Sequence, residues 1–311
     1  MTSEIAKRPL PYLAIIAAHI IWGINTVVVK ITLQEIPPMS LAFLRFALAS
    51  LLLAPFLIHA SKKIKIKKED LPKLVSIGVF AIALNISLGF QGIMRTTAIN
   101  ASVLSLVIPI LSVLGGWWFL KEKVYLVNIL GIAVGLLGTL VIIGLPQLLT
   151  GGISNQILFG NILIVLGATS WVIGAIISKK ILKRYSTLTV TAIGFMVGTI
   201  ALFIPALIEY IKDPTWITQV TLVGLLGLLF ITMLSSISGY FLFEWGLSKT
   251  SVIAADLFQY IEPLIATTLA VIVLNERISP SFLSGAVLIA VGAFLGTLAK
   301  EAHHRHRSHR L

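Results

Sequence analysis

Apolar residues run along this chain in blocks as long as a bilayer requires. A membrane-spanning helix needs roughly 20 mostly apolar residues. Ten such stretches can be marked, at 11–32, 38–58, 71–93, 97–119, 124–145, 157–178, 187–211, 218–242, 251–273 and 279–299. Short polar connections separate them, and the eighth and ninth are the least sharply divided because Phe241–Thr250 is only mildly polar. The pattern predicts an all-α membrane protein of ten transmembrane helices.

Polar residues inside the ninth stretch fall on one side. Turned at about 100° per residue, Asp256, Gln259, Tyr260, Glu262 and Pro263 occupy an arc of about 160°, while Leu257, Phe258, Ile261, Leu264 and Ile265 fill the other side. A charged side chain at mid-bilayer costs about 2.5–3.5 kcal/mol on insertion scales, so such residues face a cavity or a partner. Asp256 and Glu262 are therefore candidate solute or proton-coupling groups; the competing reading is a structural ion pair or, for Asp256, a charge at the helix start. Pro263 lacks a backbone donor, which is expected to expose a carbonyl near Gln259.

The chain also repeats itself. Pro109, Glu122, Gly131 and Gly138 recur as Pro263, Glu276, Gly285 and Gly292, each 154 positions on. Trp22 and Lys30 share their spacing with Trp171 and Lys179. Five stretches per half is an odd number, so the second half must enter the membrane from the other side. A 5+5 inverted repeat follows, with one central site and two equivalent gates. Its parts are a lead at 1–10, a first five-helix repeat at 11–148, a linker at 149–156, a second repeat at 157–299 and a basic tail at 300–311. Glycine spacing in the fifth and tenth stretches, including Gly292–Gly296, fits either packing within one chain or a homodimer face.

Composition agrees. The chain is 57% hydrophobic and only 12% charged, where soluble domains carry about 25% charge. The net charge of +12 is an orientation signal rather than a nucleic-acid footprint. With the N-terminus placed in the cytoplasm, 19 of the 24 Lys and Arg fall on cytoplasmic segments; Arg95, Lys212 and Arg277 lie opposite, and Lys30 and Arg45 fall inside stretches. Both termini are thus expected in the cytoplasm of a multi-pass cell-membrane protein. Cysteine is absent, and no nucleophile elbow, HExxH, phosphate loop or dinucleotide fingerprint occurs. No cofactor, metal or nucleic-acid partner is expected. The expected partners are a small-molecule solute and the lipid bilayer, with the protein as monomer or homodimer.

Other polar groups at membrane depth complete the candidate set. Ser102, Ser105, Pro109 and Ser112 of the fourth stretch match the polar arc of the ninth, with Asn100 at its mouth; serines bonded back to their own helix are the alternative. Arg45 suits a solute carboxylate, an ion pair or snorkelling. Lys30 and Lys179 sit near stretch ends. Trp22 and Trp171 lie deeper and suit a solute contact, a gate or packing. Asn25, Asn85, Gln91, Tyr240 and Glu244 are further polar groups in or near stretches.

The set Trp22-Gly23-Ile24-Asn25, Lys30, Arg45, Ala98, Ala101, Pro109 and Glu122, echoed by Trp171, Lys179, Pro263, Glu276 and Gly285, resembles the ten-span EamA-like permeases of the drug/metabolite transporter superfamily. The resemblance covers 11–299. It implies export or exchange of small metabolites, amino acids or drugs through a cavity lined by the third, fourth, eighth and ninth spans. It also implies cavity roles for Asn85, Gln91, Asn100, Ser102, Tyr240, Asp256, Gln259, Tyr260 and Glu262. The expected function is a secondary transporter working by alternating access, with proton coupling as an added expectation. A membrane-embedded lipid-handling protein or enzyme, or a passive channel, are the competing readings.

Overall fold

The computed structural model describes residues 9–61, 66–120, 126–143, 154–250, 258–259, 261–280, 282–292 and 295. All regular elements among them are helical: α1 (Pro9–Thr32), α2 (Pro38–Ser61), α3 (Lys68–Arg95), α4 (Ala98–Leu104), α5 (Val107–Leu120), α6 (Leu126–Ile143), α7 (Asn155–Ile181), α8 (Thr187–Lys212), α9 (Leu222–Lys249), α10 (Ile261–Leu274) and α11 (Phe282–Gly292), with a single helical turn at Trp216–Gln219 between α8 and α9. Six of them (α1, α2, α3, α7, α8 and α9) contain segments long and apolar enough to cross a membrane. The shorter apolar helices coincide with the fourth, fifth, ninth and tenth predicted stretches. Outward-facing residues such as Leu51, Ile200, Leu222 and Leu264 are large, apolar and exposed, as lipid-facing surface should be.

The helices begin at local signals. Ser154, Ser186, Thr97 and Thr221 each accept a backbone N–H from the first turn that follows, satisfying donors that a helix start leaves open. Glu276 does the same from a distance, accepting from the Ala98 and Ile99 N–H groups at 2.7 and 2.9 Å.

Proline shapes the two helices that meet at the centre. Pro109 cannot donate to the Ser105 carbonyl, so α4 breaks from α5 there, and the Ile108 N–H reaches back to that carbonyl instead. Gln259 Nε2 donates to the same oxygen at 3.1 Å. Ser105 and Gln259 are repeat-equivalent positions. At Pro263 the expected exposed carbonyl is not free: Gln259 O accepts the Glu262 N–H at 3.0 Å.

Two π-helical segments, Gly78–Leu84 in α3 and Ile231–Gly239 in α9, sit at corresponding places in the two halves. Ser236 Oγ caps the loosened Ile231 carbonyl at 2.9 Å, and Ser170 Oγ reaches the Phe80 carbonyl at 2.7 Å. Segments of this type widen a helix locally and recur at functional sites.

Packing also follows the repeat. α1 lies against α9 and α10, α7 against α3 and α5, and α2 against α8. Glycines of α6 and α11 meet inside the chain. A Cβ on Gly138 would fall 2.7 Å from the Gly285 carbonyl, and one on Gly292 would fall 2.3 Å from the Gly135 nitrogen. Of the two readings of this spacing, the structure uses these glycines for packing within one chain.

Candidate transport site

A cavity of about 180 Å³ opens between the helices. α1 contributes His19, Trp22, Asn25 and Thr26; α2 contributes Arg45; α3 contributes Asn85, Ile86, Gly89, Phe90 and Ile93. α4 and its break supply Ala101, Ser102 and Ser105, α7 supplies Ile164, Gly167, Ala168 and Trp171, and α9 supplies Ser235, Tyr240 and Phe243. Gln259 and Glu262 complete the wall. These positions run from the middle of the bundle toward the end where α1 and α3 finish and α7 begins.

Arg45 is fully enclosed, at 2% exposure. Its Nε donates to Ser236 Oγ at 2.5 Å and its Nη2 to Ser235 Oγ at 3.2 Å. The guanidinium carbon lies 4.9 Å from the Phe46 ring centre and 5.8 Å from that of Phe90, an arrangement that favours a cation. Nη1 is buried and has no hydrogen-bond partner. No carboxylate among the described residues pairs with this cation. The π-helical turn of α9 places consecutive serines on the Arg45 side.

Across the cavity, His19 Nδ1 donates to Glu262 Oε1 at 2.6 Å. Asn25 Oδ1 is a second buried atom without a partner. Asn85 Nδ2 donates to the Gly167 carbonyl at 2.9 Å, holding α3 to α7. Ser102 and Ser105 hydroxyls bond back to Ile99 and Ser102 carbonyls of their own helix, at 2.8 and 2.7 Å. They line the cavity while already satisfied.

Aromatic rings floor the cavity. Trp22 meets Trp171 edge-on at 5.9 Å, and Tyr240 lies 5.6 Å from each. Phe243 lies 5.2 Å from Trp22 and 5.8 Å from Trp171. Trp22 Nε1 donates to the Ser235 carbonyl, which fixes the ring. Edge-on and tilted rings at these separations pack favourably.

Of the predicted site residues, Trp22, Asn25, Arg45, Asn85, Ser102, Trp171, Tyr240, Gln259 and Glu262 share this cavity. Gln91 does not line it: its amide oxygen accepts from Arg95. Asn100 stands aside as well, its Nδ2 donating to Thr96 Oγ1 at 3.4 Å. Asp256 and Tyr260 lie outside the described residues. Sequence reasoning missed His19, Phe90, Ser235 and Phe243. The signal for His19 was available, since it precedes Trp22 by three residues and Thr26 by seven, one helix face.

Polar latches tie both ends of the bundle. At the end rich in basic residues, Arg184 Nη1 donates to both oxygens of fully buried Asp70 at 3.0 Å, and Tyr185 Oη donates to the same carboxylate at 3.0 Å. The Asp70 carboxylate raises the pKa of Arg184 above its usual value. At the opposite end, Glu35 accepts from the Thr221 N–H and Thr221 Oγ1, both at 2.7 Å. Those bonds, the backbone one foremost, hold the Glu35 carboxyl below the usual glutamate value. Lys30 reaches the carbonyls of Ile93, at 2.6 Å, and Thr96, so its ammonium caps the end of α3.

The model of the EamA-like transporter family matches twice, over residues 9–144 and 158–298. The chain belongs to the EamA-like transporter family. Among similar proteins of this family is one from Bacillus subtilis named "Uncharacterized transporter YoaV", 28% identical over 291 residues, 92% of this chain and 96% of that protein. An "Uncharacterized transporter" of Archaeoglobus fulgidus is 26% identical over 288 residues, covering 92% and 96% respectively. A solved crystal structure with 20% identity superimposes with a TM-score of 0.63 over 93% of this chain and 96% of its own, which shows the shared fold. The protein is thus a multi-pass membrane transporter of the EamA-like family, and the cavity is its candidate solute site.

Proposed function

We propose that this protein is a secondary transporter, an exporter or exchanger, for small metabolites that carry a carboxylate, such as amino acids or amphipathic drugs. Arg45 carries this reading. It is a permanent cation buried against the cavity, bonded only to two serine hydroxyls, with one guanidinium nitrogen unpartnered. A buried charge without compensation is costly, and a planar fork is suited to a carboxylate. Asn25 Oδ1 and Glu262, on the facing wall, suit a solute amine.

Alternating access is supported by the double family match and by contacts between repeat-equivalent positions, Ser105 with Gln259 among them. With both termini cytoplasmic, as the basic segments suggest, the cavity extends toward the outer face and the aromatic floor closes the inner path. Exchange of a ¹⁴C-labelled L-amino-acid mixture across liposomes tests the assignment. Arg45→Gln is expected to raise half-saturation about 10- to 100-fold, matching about 1.5–3 kcal/mol for a hydrogen bond to a charged group. Wild-type liposomes without exchange, or an Arg45→Gln protein indistinguishable from wild type, would overturn it.

A further inference from the structure

A second, smaller cavity of about 20 Å³ lies behind the aromatic floor, toward the basic end. Trp171, Tyr240 and Phe243 line both cavities, so these rings are the partition between them. The second cavity holds one carboxylate, Glu244, at 8% exposure. Ser178 Oγ sits 3.0 and 3.2 Å from its two oxygens. No Lys, Arg or His among the described residues forms an ion pair with it. Thr191, 7% exposed, turns toward the same space, and its Oγ1 is buried without a partner. The remaining wall is apolar, including Ile77, Ala81 and Val190.

We propose that Glu244 is the proton-carrying group of this transporter, exchanging its proton through the small cavity. The proposal rests on the secondary-transporter reading. A lone carboxylate in an apolar, closed space is cheapest when neutral. The space is large enough for a single water, which needs about 10–15 Å³. Among the described residues it offers one carboxylate and two hydroxyl side chains beside Tyr240, fewer oxygens than a dehydrated metal cation seeks. Glu262 is already engaged by His19 inside the solute cavity, and among the described residues Glu244 is the carboxylate that lines the far side of the partition.

When the partition shifts and the basic end opens, the O–H bond of the Glu244 acid breaks and its proton passes to entering water. The carboxylate left behind is held by the Ser178 hydroxyl. The reverse step reloads it. The ionisable groups around Glu244 are Tyr240 one turn back on α9, His19 and Glu262 of the solute cavity beyond the Phe243 ring, Arg45 beyond Tyr240, and Lys179 next to Ser178. α8 presents no ionisable group to this cavity, only Val190, Thr191, Gly194 and Phe195.

The test uses the full chain in liposomes with a ¹⁴C-labelled L-amino-acid mixture, read in two ways: exchange without a gradient, and accumulation under a one-unit pH gradient. One coupled proton supports about tenfold accumulation per pH unit. Glu244→Gln is expected to exchange at close to the wild-type rate while accumulation falls to about onefold; Glu262→Gln is expected to impair exchange itself. Accumulation surviving in Glu244→Gln, or a sodium gradient driving wild-type uptake where a pH gradient does not, would overturn the proposal. Should Glu244→Gln lose exchange too, Ser178→Ala decides: a displaced pH midpoint of accumulation supports the proposal, an unchanged one refutes it. Wild-type exchange without pH dependence removes this inference and leaves the transporter; absence of wild-type exchange removes the transporter reading itself.

Discussion

Glu35 shows how a single carboxylate can tie two connections together. It joins the α1–α2 connection to the start of α9 by accepting from Thr221 N–H and Oγ1. Its folded value lies below the ordinary 4.5, so the latch between these two segments is fully formed above that pH. The contribution is lost as pH falls through the depressed folded value. Hydrogen exchange of the 213–221 segment is therefore expected to stay slow from neutral pH down to about pH 5 and to quicken below about pH 4. Glu35→Gln should flatten that profile, because the neutral amide has no charge to lose. At this scale the sequence was partly legible. Arg45, Trp22 and Trp171 were recognisable as polar or aromatic groups at membrane depth, and all three line the cavity. Asn85 and Gln91 both follow the π-helical turn at Gly78–Leu84; six residues apart, they face different sides of α3, and of the two Asn85 lines the cavity.

At the scale of elements, the glycines of α6 and α11 decide how closely two helices approach. With backbone atoms 2.3–2.6 Å from any Cβ added at Gly292, a larger residue must push the helices apart. Gly292→Leu is expected to destabilise the chain by about 1–3 kcal/mol, the usual cost of overpacking. A lower unfolding midpoint in detergent, with unchanged mass by light scattering, would separate internal packing from a dimer contact. The broken fourth helix was half legible. Pro263 announced weakened backbone bonding and Pro109 is its repeat counterpart, but which carbonyl would accept a new donor depended on Gln259 reaching Ser105 from the other half.

For the whole molecule, the cavity on one side of the aromatic partition and the Asp70–Arg184 latch on the other describe a bundle closed at its basic end. The chain has no cysteine, so introduced thiols report cleanly. Joining Lys67→Cys to Arg184→Cys with a short bifunctional maleimide should abolish exchange. A Ser102→Cys reporter in the same protein should still react with a small thiol reagent added from the opposite end. Loss of that reactivity would count against a cavity reached from that end.

Taken alone, the sequence determined the solvent, the element type and the family resemblance. Blocks of about 20 apolar residues with so few charges can be stable only in lipid, and there the backbone must satisfy itself as helix. Recurrence at 154 residues announced two related halves before any contact was known. Tertiary structure decided which polar groups meet. His19 and Glu262 are 243 positions apart, Arg45 and Ser236 191, and Glu244 and Ser178 66. Periodicity tells which side of a helix is polar, but not which helix that side will face. That choice follows from packing, from the helix break before Pro109 and from two π-helical turns, and it separated a solute cavity from a small acidic chamber behind the same aromatic rings.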